Sequence, residues 1–354
     1  MKKKVLISTG GSGGHVIPAT IFYDHLCEKN KVIISTDKRG LKYLDKENFE
    51  IIIINTPRLN NFFLLPLNLL IILFQIMKSF FLLRRKKIDY LFSTGGYMSL
   101  PLIIASKFIG IKIFLLEPNL VLGRANKFFL NSCEKIFCYN DKLKNFPDNL
   151  KNKIVQINPL IRKEFYKIKD DNDQNKKFRI LIVGGSQGAE IFDNKVKDPI
   201  INLSKKFPLK IIQQTNKENI SNLIDFYSKN KVENLIFNYD NNFVSYISQS
   251  DICITRAGAT TLAELSFLNV PFIAVPLPSS KDNHQFENAN FYFKKKCCWV
   301  IEQNVLENNL EQVLGEIFQN KTDFVEKKEN LKKLNYQNSW NNVNQKILES
   351  INEN

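Results

Sequence analysis

Three glycine-rich loops, each directly after a short apolar run, constrain the fold of this chain more than any other feature. The loops at residues 10–14, 95–96 and 184–188 follow the runs Val5–Ile7, Tyr90–Ser93 and Phe178–Val183. Helical segments come next in each case. Apolar runs that alternate with helices are typical of a parallel sheet covered on both faces. The pattern therefore predicts an α/β fold built from doubly wound, Rossmann-like parallel sheets.

The pattern starts twice, which predicts two domains. The chain has 354 residues, enough for two domains with their own apolar cores. Between the two starts the sequence turns polar, with KDDNDQN at 169–175. We expect an N-terminal domain at 1–163, a linker at 164–177, a C-terminal domain at 178–335 and a final helix at 336–354 that packs back across the hinge. Two such domains should face a cleft.

Individual elements follow from the same pattern. A helix is predicted from about Pro18 to Lys29, because proline favours the first turn of a helix, and another from about Leu331 to Ile351. The further buried strands are predicted at 31–35, 50–55, 111–116, 209–213, 235–237, 251–255 and 271–275.

The charge of the chain indicates an anionic partner. The net charge is +15, and residues 1–160 carry 24 Lys or Arg against 11 Asp or Glu, whereas the remainder is almost balanced. Nucleic acid, an anionic membrane surface and phosphorylated substrates are candidates. The aromatic residues of the basic half lie in apolar runs and are not interleaved with cations, so nucleic acid is disfavoured.

Cysteines and the start of the chain bear on the compartment. The six cysteines form neither a CxxC pair nor a zinc-like spacing with histidine, so reduced thiols and no metal site are predicted. The basic start is followed by only three apolar residues before STGG, so no signal peptide is expected.

Glycine loops between a strand and a helix can bind phosphate, because they expose backbone N–H groups at the positive end of the helix dipole. Glycine is also suited to turns that visit positive φ. Two other interpretations stay open. The loops could be plain tight turns, or the first could bind a nicotinamide dinucleotide with Asp37 on the ribose, although residue 16 is valine where that fingerprint needs glycine or alanine.

Several side chains beside these loops could carry chemistry. His15 could be a general base, because imidazole accepts a proton near neutral pH, or a structural histidine. Thr260 and Thr261 could cap the helix that follows residue 258, while Glu264 could accept the two hydroxyls of a ribose. Residues 282–285 (DNHQ) could contact a ligand or form a solvated loop.

The segment from Phe62 to Leu83 is long enough to span a bilayer. It holds 17 Phe, Leu, Ile or Met among 22 residues, and Arg84–Lys87 follow. Asn61, Asn68, Gln75 and Ser79 draw one narrow polar stripe along the helix. Docking of segment 62–87 on an anionic membrane surface is favoured over a buried helix or a true span, since a crossing would put the first two glycine loops on opposite sides of the membrane.

Six motifs together resemble the MurG family of peptidoglycan glycosyltransferases. They span Lys4 to about Gln303 in order, as TGGSGGHVIPA, TGGYMSLP, EPN, GGSQGA, RAGATTLAE and DNHQFENA. The resemblance implies the GT-B architecture. It also implies inverting transfer of N-acetylglucosamine from UDP-N-acetylglucosamine to the C4 hydroxyl of undecaprenyl-diphosphate-linked N-acetylmuramoyl-pentapeptide, at the cytoplasmic face of the inner membrane, with the enzyme peripherally bound.

The resemblance also assigns residues. The resemblance places His15 at the cleft, and the chemistry of imidazole makes it the preferred catalytic base. The acceptor diphosphate would lie at Gly13, Gly14, Gly95, Gly96 and Tyr97. The donor would contact a larger set: Ser12, Gly13, Gly14, Asn119, Arg162, Ser186, Thr260, Thr261, Glu264, His284 and Gln285.

No cofactor or metal is expected for this reaction. The only DxD pattern, at 171–173, lies in the predicted linker. Backbone N–H groups and Arg162 could instead neutralise the leaving diphosphate. The alternative function is a membrane-docked protein that binds the sugar nucleotide without catalysis.

Overall fold

The structure is a computed structural model of the chain, and it describes residues 2–57, 63–168, 177–185, 190–238, 243–335 and 337–352. These residues form two compact units. One comprises residues 1–160 and 339–354, and the other comprises residues 161–338. Most of the predicted linker, residues 169–176, lies outside the described residues.

A seven-stranded parallel sheet forms the centre of the first unit. Its strands are β1 (Lys4–Ser8), β2 (Lys31–Thr36), β3 (Ile51–Ile53), β4 (Tyr90–Ser93), β5 (Lys112–Glu117), β6 (Lys135–Cys138) and β7 (Ile154–Gln156). Its first helices are α1 (Gly13–Leu26), α2 (Leu65–Lys86), α3 (Leu100–Ile109) and α4 (Arg124–Phe129). The strand order is β3-β2-β1-β4-β5-β6-β7, and every pairing is parallel.

The second unit repeats this plan with a six-stranded sheet. Its strands are β8 (Phe178–Val183), β9 (Leu209–Gln214), β10 (Glu233–Phe237), β11 (Ile252–Thr255), β12 (Phe272–Ala274) and β13 (Cys298–Val300). Its helices are α5 (Glu190–Lys195), α6 (Lys197–Ser204), α7 (Ile220–Lys229), α8 (Phe243–Ser248), α9 (Ala259–Phe267), α10 (His284–Lys294), α11 (Leu306–Gln319) and α12 (Lys321–Leu334). The order β10-β9-β8-β11-β12-β13 is again wholly parallel.

The last helix, α13 (Trp340–Asn352), belongs to the first unit. Its buried residues Val343, Ile347 and Ile351 join the same core as Phe22 of α1. The Trp340 indole stacks on the His25 imidazole, with ring centroids 3.7 Å apart. The carboxyl-terminal residues of the chain therefore complete the apolar core that the first residues begin.

Buried parallel strands explain why the sequence pattern is informative. Apart from its first residue, β1 is buried throughout, and β8 is buried from its third residue onward. Strands covered on both faces need near-continuous apolar runs. In both sheets the strand order reverses beside the first strand, between β1 and β4 and between β8 and β11. Ligands of open α/β sheets bind outside the carboxyl ends of strands at such a point, and the glycine loops after β1 and β4 lie there, as do Gly184 and Gly185 after β8.

Some boundaries differ from the sequence predictions. The first helix begins at Gly13, and Pro18 lies inside it, so the prediction of a start at Pro18 is wrong by more than a turn. The predicted helix over 331–351 is two helices with a break after Leu334. At that break the Asn335 side-chain amide donates to Ser266 O and Oγ at 2.9 and 2.8 Å. The strands β6, β7 and β13 were not predicted from the sequence.

Candidate active site

The loops after β1, β4 and β5 meet at the carboxyl edge of the first sheet. Thr9 and Thr94, one from each of the first two loops, are joined through their hydroxyl oxygens at 2.9 Å. His15, in the first turn of α1, lies 2.8 Å through Nδ1 from the Thr94 carbonyl oxygen. These contacts place the predicted base beside the second glycine loop.

The His15 contact selects one tautomer of the neutral imidazole. A carbonyl oxygen can only accept a hydrogen bond, so Nδ1 carries a hydrogen, and in the neutral ring Nε2 carries the lone pair. A Cβ atom built on Gly96 would lie 3.8 Å from Nε2. The basic nitrogen of His15 therefore faces the second loop at the residue where a side chain is missing.

Gly95 and Gly96 have conformations that other residues rarely adopt. Both have φ of +82°. A Cβ atom on Gly96 would lie 2.4 Å from the Met98 sulfur, and one on Gly95 would lie 3.2 Å from Asn126 Oδ1. Both the backbone and the available space require glycine here, in agreement with the positive φ expected of these turns.

The first turn of α1 exposes the N–H groups that an anion needs. Gly13 and Gly14 are its first two residues, and the Ser12 side chain makes no capping hydrogen bond to them. The first N–H groups of a helix have no intrahelical acceptor. Gly13 is buried and Gly14 is exposed, so Gly14 is the one of these two residues that lies at the surface.

Asp37 does not have the geometry that a nicotinamide site would need. Its Oδ1 accepts from the backbone N–H groups of Gly11 and Gly40, at 2.8 and 2.9 Å. Its Oδ2 accepts from Nε and Nη2 of Arg39 at 2.9 and 2.6 Å. Both carboxylate oxygens are thus bound within the protein. This arrangement favours a structural role for Asp37 over ribose binding.

Asn119 is held by the buried carboxylate of Glu117. Oε1 of Glu117 accepts from the backbone N–H and the side-chain amide of Asn119, at 3.2 and 3.1 Å. Oε2 accepts from Gly123 N and from the Asn126 amide, at 2.8 and 2.9 Å. Asn126 Oδ1 would lie 3.2 Å from a Cβ atom built on Gly95, so the Asn126 amide that Glu117 holds lies beside the second glycine loop.

In the second unit, the turn between β11 and α9 carries the predicted threonines. α9 begins at Ala259 with Gly258 as its N-cap, and there is no side-chain capping bond. Thr260 and Thr261 are therefore the second and third residues of the helix. The capping interpretation of these threonines is wrong, since glycine occupies the cap position. Both threonines are partly exposed.

Glu264 and Arg162 form a bidentate ion pair. The Arg162 Nε lies 2.6 Å from Oε1 of Glu264, and Nη2 lies 2.8 Å from Oε2. The guanidinium also lies over the rings of Phe165 and Phe243, at 5.1 and 5.2 Å from their centroids. Aromatic faces attract cations at such distances. The structure thus joins two residues that the sequence assigned separately to the donor.

The electrostatics of Glu264 are dominated by burial. The residue is 1% exposed, and this burial raises the pKa of its carboxyl group, while Arg162 lowers it and Glu164 raises it further. Burial favours the neutral form of a carboxyl group. Arg162 is therefore the group that favours the ionised form of Glu264.

Gln285 and His284 lie at the start of α10. The Gln285 Oε1 accepts from the backbone N–H groups of Ala257 and Leu277, at 3.2 and 3.0 Å, so its NH₂ group points the other way as a donor. His284 is partly exposed, and its Nδ1 lies 2.7 Å from the Lys281 carbonyl oxygen. Gln285 therefore forms a hydrogen bond with the turn between β11 and α9, whereas the His284 contact is with Lys281, three residues earlier in the chain.

Two predicted features lie outside the described residues. These are Ser186 in the third glycine loop and the DxD pattern at 171–173. Of the described part of that loop, Gly185 has φ of +76°. In the ranges that the structure describes, no group of three or more His, Cys, Asp or Glu could hold a metal ion.

Known proteins resemble the chain over its whole length. Residues 5–138 match the glycosyltransferase family 28 N-terminal domain, and residues 179–343 match the glycosyltransferase family 28 C-terminal domain. A UDP-N-acetylglucosamine--N-acetylmuramyl-(pentapeptide) pyrophosphoryl-undecaprenol N-acetylglucosamine transferase of Pelagibacter ubique is 49% identical over 100% of both chains. A transferase of the same name from Rickettsia felis is 34% identical, over 85% of this chain and 87% of its own.

Among solved structures, Acinetobacter baumannii MurG aligns over 100% of both chains with a TM-score of 0.77 and 22% identity. The chain belongs to the MurG family. This membership confirms the family and the GT-B type of fold that the motifs indicated, and it makes the chain a glycosyltransferase.

The structure adds residues to this MurG-family site that the sequence analysis did not single out. Arg256 donates to the Val275 carbonyl oxygen and to the Gln303 side chain, at 3.1 and 2.6 Å. Burial lowers the pKa of its guanidinium. The Asn288 amide donates to Ala257 O at 3.1 Å. The available signal was an arginine directly after the buried strand β11.

Proposed function

We propose that this chain transfers N-acetylglucosamine from UDP-N-acetylglucosamine to the C4 hydroxyl of undecaprenyl-diphosphate-linked N-acetylmuramoyl-pentapeptide. The observation that carries the proposal is the full-length match to the Pelagibacter ubique protein, whose name states the donor and the acceptor. The geometry of each unit supports the proposal. In each sheet a strand–turn–helix junction, which is suited to binding phosphate, lies where the strand order reverses.

The first unit would act on the acceptor. Nε2 of His15 would take the proton of the C4 hydroxyl as its oxygen attacks the anomeric carbon of the donor. The new C–O bond forms as the bond from that carbon to the UDP oxygen breaks, and the electron pair leaves with UDP. One displacement inverts the anomeric centre and gives a β-linked product. Gly13, Gly14 and the loop at 95–97 would bind the acceptor diphosphate.

The second unit would hold the donor. Glu264 would accept the ribose hydroxyls, and the N-terminus of α9 with Thr260 and Thr261 would face the leaving diphosphate. Fixed N–H dipoles stabilise charge that develops on a leaving group. Ser186, Arg162, His284 and Gln285 complete the proposed donor set, with Ser12 and Asn119 of the first unit.

The α2 helix supports a peripheral membrane location, because most of its exposed side chains are apolar, unlike those of an ordinary surface helix. Ser79 is buried together with Ile72 and Leu83. By contrast, the surface face is apolar. Its exposed members are spaced three or four residues apart: Leu67, Leu70, Phe74, Met77 and Phe81. Of the predicted polar stripe, Asn61 lies outside the described residues.

A basic cluster ends this helix. Arg84, Arg85 and Lys87 are exposed, whereas Lys86 is paired with Glu50 at 2.8 Å. Three cations therefore remain for lipid, each worth about 1 kcal/mol near an anionic leaflet. By length and composition α2 could also cross a membrane, with a mean hydropathy of 1.8. We propose that it docks on the cytoplasmic face of the inner membrane, which would bring the enzyme to its lipid-linked acceptor.

Two experiments test these proposals. The purified chain is incubated with UDP-N-acetylglucosamine, with and without a short-chain lipid acceptor, and UDP release is followed. Acceptor-dependent release supports transfer, while binding of the donor without release would favour the non-catalytic alternative.

For the location, the protein is sedimented with anionic vesicles and then washed with high salt or alkaline carbonate. A docked protein leaves the vesicles, whereas a protein with a spanning helix stays in the pellet.

A further inference from the structure

Arg39 lies at the rim of the first glycine loop, in the turn that follows β2. Because β2 pairs with β1 in parallel register, with Ser8 opposite Ser35, the turns after the two strands are neighbours. A Cβ atom built on Gly11 would lie 3.9 Å from Nη2 of Arg39. The guanidinium thus sits beside the loop that is proposed to receive the acceptor.

Asp37 holds this guanidinium in a fixed place. The carboxylate is 4% exposed, and it takes two hydrogen bonds from Arg39 and two from backbone N–H groups. Burial would raise the pKa of Asp37, but the hydrogen bonds from Gly11, Arg39 and Gly40 bring it below its usual range. An ionised aspartate therefore orients Arg39 at neutral pH.

Asp37 also removes one donor from the loop. The Gly11 N–H points at the carboxylate, at 2.8 Å, and is not available to a phosphate. An anion at this loop must therefore find its donors elsewhere, at the start of α1 and on neighbouring side chains. A cation beside the loop would replace the lost donor.

Tyr97 connects Arg39 to the second glycine loop. Nη2 of Arg39 donates to the Tyr97 hydroxyl oxygen, and the guanidinium lies 5.3 Å from the centre of the Tyr97 ring. Since the phenol oxygen accepts from Arg39, its own hydrogen is directed to another acceptor. Arginine has five N–H donors, and those of Nη1 make no recorded hydrogen bond within the part of the chain that the structure describes. The Arg39 side chain is 38% exposed.

We propose that Arg39 binds the diphosphate of the lipid-linked acceptor through Nη1, with the Tyr97 hydroxyl as a second donor. A planar guanidinium suits phosphate oxygens better than a lysine ammonium does. The inference rests on the proposed function, because it takes the first unit as the acceptor side. It adds a cation to a site that otherwise consists of backbone N–H groups and one phenol.

A direct binding experiment tests the proposal without catalysis. Geranyl diphosphate is titrated into the full-length wild type, R39A, R39K and the matched control K38A, in which an exposed neighbouring lysine is removed. R39A should bind at least about tenfold more weakly, R39K should be intermediate, and K38A should be unchanged. UDP is titrated in parallel, and its affinity should not change, because the donor diphosphate is bound elsewhere.

A second variant guards against a folding defect. R39A leaves the buried Asp37 without its guanidinium partner, so D37N/R39A, which removes that charge as well, should fold and show the same loss. Geranyl diphosphate binding within twofold of wild type in both variants would overturn the proposal, as would an equal loss for UDP.

Kinetics separate the failure of this inference from that of the proposed function. If wild type transfers sugar but R39A leaves the acceptor KM unchanged, the role of Arg39 is wrong and the function stands. If wild type binds geranyl diphosphate and R39A does not, while neither transfers sugar, the role of Arg39 is supported and the proposed function is contradicted.

Discussion

Arg162 binds both carboxylate oxygens of Glu264 across 102 residues of sequence, at 2.6 and 2.8 Å. The carboxylate is almost wholly buried, and the Arg162 side chain is 20% exposed. A donor ribose that reaches Glu264 must share it with this guanidinium or displace it. The pair therefore sets both the charge of Glu264 and the access to it.

Removal of Arg162 should destabilise the protein in a pH-dependent way. R162A leaves a buried carboxylate without its cation, which costs about 3–5 kcal/mol in the free energy of unfolding at pH 7. Burial already raises the pKa of Glu264, and loss of Arg162 raises it further. A carboxyl group whose pKa is raised in the folded state destabilises the protein as pH rises, because the buried group must then ionise. The difference in free energy of unfolding between R162A and wild type should therefore become smaller as the pH is lowered toward about 5.

Denaturant unfolding of R162A and wild type at both pH values measures this effect. R162A/E264Q is the matched control, since a neutral glutamine has no charge to lose and its deficit should not depend on pH in this range. A deficit in R162A that stays constant between the two pH values would contradict the account.

The ribose role of Glu264 predicts a coupling between the protein and the nucleotide. E264Q should weaken UDP binding by about tenfold or more, because a charge-assisted acceptor is lost. For 2′,3′-dideoxy-UDP, which lacks both hydroxyls, wild type and E264Q should bind alike. Calorimetric titration of the four pairs gives the interaction energy directly. If the dideoxy nucleotide loses as much affinity in E264Q as UDP does, Glu264 does not contact the ribose.

Two glycines should respond in opposite ways to the same substitution. G96A should cost about 1–3 kcal/mol of stability, because φ is +82° and the new methyl group would meet the Met98 sulfur at 2.4 Å. Gly315 lies within α11, and a Cβ atom there meets nothing within 4 Å. G315A should therefore stabilise by about 0.5–1 kcal/mol. Thermal melting of both variants is the measurement, and a stable G96A would show that the turn is not restricted.

The exposed face of α2 should determine membrane affinity. Phe74 is 65% exposed at the centre of this face, and Phe293 in the second unit is a matched exposed phenylalanine at 54%. F74E should reduce co-sedimentation with phosphatidylglycerol vesicles by about tenfold. The substitution removes an aromatic side chain that would be buried in the lipid and introduces a negative charge, which the anionic headgroups repel. F293E should have no effect. Equal binding of F74E and wild type would argue that α2 meets something other than lipid.

Much of the fold could be predicted because buried parallel strands are continuous apolar runs. β4 has the predicted bounds, and so does β8, since both are bounded by polar or glycine residues. The start of α1 was misplaced because Pro18 is a good first-turn residue, yet the glycines before it adopt the helix.

The candidate site could be predicted only as separate residues. His15 and Glu264 were identifiable from their chemistry and their places after strands. The contacts that give them their properties are long-range: Thr94 is 79 residues from His15, and Arg162 is 102 from Glu264. The sequence identified Asp37 only as an acidic residue after the first glycine loop. Its hydrogen bonds with Arg39 and with the Gly11 N–H depend on the parallel register of β1 and β2, which no local sequence pattern reveals.

The decisive experiment follows the transfer of radiolabelled N-acetylglucosamine from UDP-N-acetylglucosamine to a short-chain lipid-diphosphate muramoyl-pentapeptide, with wild type and H15A side by side. We expect a β-linked labelled product with wild type. H15A, which keeps the donor site, should bind UDP normally but turn over at least about 100-fold more slowly. A wild-type chain that yields no labelled lipid would contradict the function, and an H15A variant of near-normal rate would contradict the role of His15.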